Sequence, residues 1–114
     1  MVIQGLETIP DCEFCRIANG VIPTQLLKVT DNFVVFADAN PTATVDLLIV
    51  PINHYATITE MPEWLWVEAR ELGQDIAVEQ NLKGYRLVAN YGTNAQIRHA
   101  KIHLQSGLTQ KVEI

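Results

Sequence analysis

The segment of residues 99–104 constrains the fold most strongly, because polar and apolar side chains alternate along it. It reads His-Ala-Lys-Ile-His-Leu. Successive side chains of a β-strand point to opposite faces. The apolar side chains, which we expect to face the core, are Ala100, Ile102 and Leu104. The nitrogen-bearing side chains, which we expect on the other face about 7 Å apart, are His99, Lys101 and His103. Such a row can bind phosphate or metal, or shuttle protons, but an ordinary half-exposed strand has the same pattern.

Strand candidates on both sides of one long helical segment predict an α+β domain with a mainly antiparallel sheet. Pro62 suits the first position of a helix running to about Gln80, and its predicted core stripe has helical spacing. That stripe is Leu65, Ala69, Leu72 and Ile76. A short helix from Cys12 to Asn19 is predicted to be capped by Asp11 and closed by Gly20. The strand candidates are residues 26–29, 33–36, 47–50, 85–90, 99–104 and 109–114.

The composition indicates one globular domain over residues 1–114, with 48% hydrophobic and 18% charged residues. A formal net charge of −5 and scattered basic residues argue against nonspecific nucleic-acid binding. The longest near-apolar run, 47–52, is too short to span a membrane. Residues 1–10 lack the basic and apolar regions of a signal peptide. We therefore expect a cytoplasmic protein that binds neither nucleic acid nor membranes.

The two cysteines, Cys12 and Cys15, lie three positions apart. In a chain without a signal peptide this spacing favours metal or redox chemistry over a structural disulfide.

Five segments, in the same order along the chain, resemble those of the histidine-triad (HIT) family. The family signature is three histidines separated by single apolar residues, and here it reads His99-Ala-Lys101-Ile-His103. The other four segments are CEFCRIANGVIP at 12–23, FADANP at 36–41, LIVPINH at 48–54 and GYRLVANYG at 84–92. Together they cover nearly the whole chain, from Asp11 to Gly107.

This resemblance implies a HIT-like α+β fold with a five-stranded, mainly antiparallel sheet, one long and one short helix, and a homodimer. Family members typically bind purine nucleotides, and active ones hydrolyse or transfer nucleotidyl groups through a covalent nucleotidyl-histidine. The matching nucleotide-binding residues here are Ile22, Phe36 and Ala39 around the base, Asp38 at the ribose, Asn90 near ribose and phosphate, and His103 at the phosphate. Ile22 and Phe36 suit the core equally well, and Asn90 could be a turn former.

The phosphate loop of the family is altered in this chain. The stretch between Asn90 and His99 is shorter than usual, and Asn94-Ala-Gln96 replaces a Gly-Gln-Ser run. Gln96 is therefore the remaining nucleotide-binding candidate in this loop.

Lys101 stands where the family has its middle histidine, which attacks the α-phosphate. Neutral imidazole is nucleophilic near pH 7, whereas a lysine with an ordinary pKa near 10.4 is mostly protonated. We therefore expect the family reaction to be lost or very slow, and Lys101 to act as a point charge that holds phosphate. Any residual reaction would use Lys101 or His103 as its catalytic group.

Asp46 stands where many family members have a further histidine, beside the triad. Because a carboxylate there could compensate a lysine, we predict an ion pair between Asp46 and Lys101, within about 4 Å.

The resemblance also implies a structural zinc ion. Some family members, and the related galactose-1-phosphate uridylyltransferases, bind zinc through the opening cysteine pair, the histidine after the proline-containing strand and the first triad histidine. The matching residues are Cys12, Cys15, His54 and His99. Two thiolates and two imidazoles make a closed tetrahedral site that supports the fold and does not catalyse. The alternative is two thiols at a helix start and two surface histidines.

Three functions remain open from the sequence. The first is a catalytically impaired HIT-like protein that binds a purine nucleotide or another phosphorylated small molecule. The second is an interaction or scaffold domain, with Trp64 and Trp66 as an exposed contact surface. The third is a residual HIT-type nucleotide hydrolase.

Overall fold

The computed structural model describes residues 12–92 and 97–107, and it confirms the α+β class with a five-stranded antiparallel sheet. A 3-10 turn at Ile58–Glu60 precedes the long helix. The elements in chain order are α1 (Glu13–Ala18), β1 (Lys28–Val29), β2 (Phe33–Ala37), β3 (Val45–Pro51), α2 (Glu63–Glu79), β4 (Arg86–Val88) and β5 (Ile102–Ser106). No helix in this part of the chain is long and apolar enough to cross a bilayer.

Strand β3 lies at the centre of the sheet, whose order is β1-β2-β3-β5-β4 with every neighbouring pair antiparallel. Its residues Leu47 to Val50 are buried on both faces, which explains why this strand is a continuous apolar run rather than an alternating one. Leu47 and Ile49 pack toward α2, whereas Leu48 and Val50 pack toward α1. The sheet therefore separates two apolar clusters.

Helix α2 covers one face of the sheet with the stripe predicted for it, since Leu65, Ala69, Leu72 and Ile76 are all buried. The helix begins at Glu63, one position later than predicted, and Pro62 is its N-cap. Trp64 is 57% exposed, but Trp66 packs against this core. The prediction of an exposed tryptophan pair is therefore wrong for Trp66, because its large ring reaches the core from the flank of the stripe.

Helix α1 covers part of the opposite face through Phe14, Cys15 and Ile17. Its N-cap is Cys12, whose Sγ accepts a hydrogen bond from the Cys15 backbone N–H at 3.3 Å. The predicted cap by Asp11 is therefore wrong, because the sulfur takes that position. The predicted closure at Gly20 is confirmed, with a φ of 75°.

Strand β5 begins later than the alternation predicts, at Ile102 rather than at residue 99. Residues 99 and 100 instead bond outside the sheet, His99 N–H to Ile97 O and Ala100 N–H to Tyr55 O. The predicted core side chains Ala100, Ile102 and Leu104 are buried as expected. The predicted strand at 109–114 lies outside the described residues.

Two glycines at positive φ offer a matched test of backbone strain against side-chain contact. At Gly20 an added Cβ has no atom within 4 Å, whereas at Gly107 it would lie 2.8 Å from Thr44 Cβ. We expect Gly20→Ala to lower the free energy of unfolding by about 1 kcal/mol from strain alone. Gly107→Ala should cost about 2–3 kcal/mol, because a steric clash adds to the strain.

Urea denaturation of the two variants measures this difference. Adding Thr44→Gly to Gly107→Ala should recover part of the loss, since it removes the clashing atoms. Equal losses in Gly20→Ala and Gly107→Ala would contradict the assigned contact.

Candidate metal centre and ligand site

Four predicted metal ligands come together from three separate parts of the chain. Cys12 and Cys15 lie at the start of α1, His54 follows β3, and His99 precedes β5. One ligand atom from each lies within 4.8 Å of the others. His99 is completely buried and both cysteines are buried, so the alternative of two surface histidines is wrong for His99.

The distances within this group fit a tetrahedral zinc site. His99 Nδ1 lies 3.3 Å from Cys12 Sγ and 3.4 Å from Cys15 Sγ, and His54 Nδ1 lies 3.3 Å from Cys15 Sγ. Zinc bonds of 2.3 Å to sulfur and 2.0–2.1 Å to nitrogen would place neighbouring S and N ligands about 3.6 Å apart. The donor atoms therefore need only small shifts to accept the ion.

The tautomer of His99 is also the one a metal requires. Its Nε2 donates a hydrogen bond to Pro51 O at 2.8 Å, so Nδ1 carries the lone pair that faces the two sulfur atoms. Burial lowers the pKa of His99 to about 4, which keeps the ring neutral at pH 7. A backbone carbonyl on the second ring nitrogen is the usual support of a metal-bound histidine.

Phe14 connects this cluster to the rest of the site, although nothing in the sequence singles it out beyond its place between the cysteines. Its ring makes edge contacts with His99 and Phe36, at centroid distances of 5.9 and 5.6 Å. Lys101 Nζ lies 5.0 Å from the same ring centroid, a cation–π distance.

Lys101 is half-buried, and its Nζ donates a hydrogen bond to Ile97 O at 2.9 Å. Burial lowers the pKa of Lys101, while Cys12 and Asp38 oppose that shift.

The predicted ion pair between Lys101 and Asp46 is wrong, because none joins them in the described part of the chain. Strand register explains this: Asp46 lies opposite Gln105, which is four positions beyond Lys101 and therefore about 13 Å farther along an extended chain. Asp46 Oδ2 instead accepts hydrogen bonds from Thr42 N at 3.0 Å and Gln105 Nε2 at 3.2 Å.

His103 lies between two carboxylates. Its Nδ1 is 3.4 Å from Asp38 Oδ2 and 3.4 Å from Asp46 Oδ1. Alternation with His103 could have singled out Gln105 as a further residue on this face, and its amide helps to fix Asp46.

The remaining predicted nucleotide-binding residues do not line one cavity. Phe36 is buried and the half-buried Ile22 packs against the same cluster, while Ala39 is exposed. Asn90 and Lys101 line a cavity of about 350 Å³, together with Arg98. Gln96 lies outside the described residues.

The chain is similar to proteins of one family along nearly its whole length. Residues 11–109 match the family model described as scavenger mRNA decapping enzyme C-term binding. An uncharacterized HIT-like protein of Methanocaldococcus jannaschii is 29% identical, over 82% of this chain and 76% of that protein. Adenosine 5'-monophosphoramidase HNT1 of Saccharomyces cerevisiae is 30% identical, over 82% of this chain and 60% of that protein.

Solved structures show the same fold. A histidine triad protein from Clostridium difficile has a TM-score of 0.86 and 28% identity, covering 95% of this chain and all of that one. A zinc-bound histidine triad family protein from Mycobacterium smegmatis has a TM-score of 0.77 at 24% identity, covering 87% of this chain and 76% of that one. The match to the family model and the architecture agree, and the chain belongs to the histidine-triad family.

Proposed function

We propose that this protein binds a purine nucleotide or another phosphorylated small molecule, and that its nucleotidyl hydrolase or transferase chemistry is impaired because Lys101 replaces the nucleophilic histidine. The observation that carries this proposal is the setting of Lys101. Its Nζ contacts the Ile97 carbonyl and the Phe14 ring, so it is held as a hydrogen-bond donor.

Lysine and histidine side chains differ in their ability to attack phosphorus. An ammonium group has no lone pair with which to attack phosphorus, whereas neutral imidazole has one. Burial lowers the pKa of Lys101, but contact with a carbonyl oxygen and the approach of a phosphate both favour the charged form. A positive charge at this position therefore serves binding rather than attack.

Binding of a phosphorylated ligand has support from residues around Lys101. Arg98 and Asn90 share its cavity, which gives two cations and one amide in a chain whose net charge is −5. The similarity to a protein named adenosine 5'-monophosphoramidase supports a nucleotide as the ligand class.

Zinc, in this proposal, is held by Cys12, Cys15, His54 and His99. With four protein ligands the ion has no open position, so it would supply structural support and no catalysis. It would join the start of α1 to the turn after β3 and to the entry of β5, and thereby position Phe14 and Lys101.

A homodimer is the third part of the proposal. Strand β4 is one edge of the sheet, and Leu87 on it is 36% exposed, near Tyr85 at 40%. An edge strand with apolar side chains that no described element covers favours pairing with a second chain. Each edge strand carries one basic residue, Lys28 on β1 and Arg86 on β4, so the choice of β4 rests on its greater length, three residues against two. Very short edge strands resist pairing.

Two substitutions at Lys101 test the binding and catalytic parts separately. Lys101→Ala should weaken AMP binding about tenfold, or about 1.4 kcal/mol, because the phosphate loses a cation. Lys101→His should raise hydrolysis of adenosine 5'-phosphoramidate at least tenfold above wild type, since it restores a nucleophile. Calorimetric titration with AMP and a hydrolysis assay measure the two effects.

Lys83→Ala, at an exposed lysine, is the matched control and should change neither quantity. AMP binding that is undetectable in the wild type would contradict nucleotide binding and favour a scaffold role. Substantial hydrolysis by the wild type would instead contradict the assigned loss of chemistry.

Zinc should be present in protein purified without a chelator, and its loss should lower the melting temperature by about 10 °C. A ligand at a hundredfold excess over its Kd raises the free energy of unfolding by about 2.7 kcal/mol. For a domain of this size, that free energy corresponds to a melting-temperature shift of about 10 °C. Cys15→Ser should abolish the chelator-dependent shift, whereas Lys83→Ala, at an exposed lysine outside both clusters, should retain it. Metal analysis and thermal unfolding measure these effects, and a wild type with neither zinc nor shift would refute the site.

Dimerisation through β4 predicts opposite outcomes for two edge substitutions. Leu87→Lys should convert the dimer to a monomer, because a charge on the edge strand opposes pairing. Val29→Lys, on the exposed opposite edge, should leave the dimer intact. Light scattering after gel filtration gives the mass, and a monomeric wild type would contradict this part of the proposal.

A further inference from the structure

A second group of metal-binding side chains lies apart from the cysteine-containing cluster. It consists of Asp38, Asp46 and His103, whose ligand atoms lie within 4.8 Å of one another. The side chains are largely enclosed: those of Asp38 and His103 are each 17% exposed, and that of Asp46 is 1% exposed. The proposed zinc uses none of these three residues.

Each carboxylate has one oxygen held by protein donors and the other turned toward His103. Asp46 Oδ2 accepts from Thr42 N and Gln105 Nε2, which leaves Oδ1 facing the ring at 3.4 Å. Asp38 Oδ1 accepts from Asn40 N at 3.0 Å, which leaves Oδ2 facing the ring at 3.4 Å. The three inward atoms are thus two carboxylate oxygens and one imidazole nitrogen.

Hydrogen bonding from His103 does not satisfy both carboxylates. The Nδ1 atom carries at most one proton, and only the contact with Asp46 has hydrogen-bond geometry. No lysine or arginine in the described residues forms an ion pair with Asp38 or Asp46. Two enclosed carboxylates favour a nearby cation, and His103, the ion-pair partner of both, can supply at most one positive charge to the pair. Lys101 adds only an electrostatic attraction to Asp38, without an ion pair. A divalent ion would match both negative charges.

We propose that Asp38, Asp46 and His103 bind a divalent first-row transition-metal ion. Metal–ligand bonds of about 2.1 Å place neighbouring N and O ligands about 3.0–3.4 Å apart in octahedral or tetrahedral geometry, which both 3.4 Å distances approach. Carboxylate and imidazole ligands suit Mn²⁺ or Fe²⁺, whereas the thiolate-containing cluster suits zinc. The two sites therefore differ in the metal they select.

Three protein ligands leave at least one coordination position open. The next step rests on the proposed function: a phosphate oxygen of the nucleotide takes the open position. The metal would then reverse the repulsion that Asp38 and Asp46 exert on phosphate, because the charge of a bound cation dominates its surroundings.

Mn²⁺ titrated into the purified, zinc-loaded full chain tests the site, with bound and free ion distinguished by electron paramagnetic resonance. Zinc occupies the cysteine-containing cluster, so a nitrogen coupling cannot arise from His54 or His99. We expect one Mn²⁺ per chain, with the spin-echo signature of one coordinated imidazole nitrogen. Asp46→Asn and His103→Ala should each weaken Mn²⁺ binding at least tenfold. Asp75→Asn, at an exposed aspartate on α2, is the matched control and should bind as the wild type does.

The nitrogen signature is measured on the wild type, so it decides the matter even where a variant fails to fold. Absence of Mn²⁺ binding at millimolar concentration, or bound Mn²⁺ without a nitrogen coupling, overturns the site and leaves His103 as a hydrogen-bond partner of Asp46. Unchanged Mn²⁺ binding in both Asp46→Asn and His103→Ala also overturns the site.

AMP titration of metal-free protein separates this inference from the proposed function. AMP binding without any Mn²⁺ binding refutes the second metal site and leaves nucleotide binding standing. Mn²⁺ binding without AMP binding, in either the metal-free or the Mn²⁺-loaded protein, supports the second metal site and refutes nucleotide binding.

Discussion

The convergence of two sulfur atoms and two imidazole nitrogens is the constraint on which the rest of the site depends. A histidine as buried as His99 must have partners for both ring nitrogens. Pro51 O satisfies one, and Cys12 and Cys15 surround the other. This arrangement ties α1, the end of β3 and the entry of β5 to one point, and Phe14 and Lys101 pack beside it.

The same constraint explains why β5 begins at Ile102. In a regular strand His99 would stand in line with Lys101 and His103 on one face. Its ring instead turns into the cysteine cluster, and the backbone at residues 99 and 100 bonds to Ile97 and Tyr55 rather than to β3. Three residues that alternate evenly in sequence therefore occupy three different surroundings: the cysteine–histidine cluster, an aromatic face with a carbonyl, and a pair of carboxylates.

Most of the fold could be predicted from local pattern, because it depends on spacing. The α2 stripe and the central run of β3 each bury what their periodicity indicates. Sequence pattern could not reveal that Trp66 packs against the core or that Cys12 replaces Asp11 as the N-cap of α1. Both outcomes depend on tertiary contacts, which local pattern does not contain. The candidate metal ligands came only from the family resemblance, because His54 and His99 are too far apart in sequence for spacing to connect them.

The ion pair predicted between Lys101 and Asp46 shows where reasoning by exchanged residues fails. The family resemblance implies that both positions depart from its pattern, and charge alone suggests that they compensate each other. Strand register decides otherwise, because Asp46 lies opposite Gln105 and reaches His103 instead. On the proposed function, the two residues therefore act at different places. Lys101 stands where the group that attacks phosphorus is expected, while Asp46 adds negative charge beside His103, the residue matched to phosphate binding. Restoring the histidine at position 101 would leave the Asp46 carboxylate in place. The identity of the nucleophile and the charge around the phosphate position are therefore separable properties of this site.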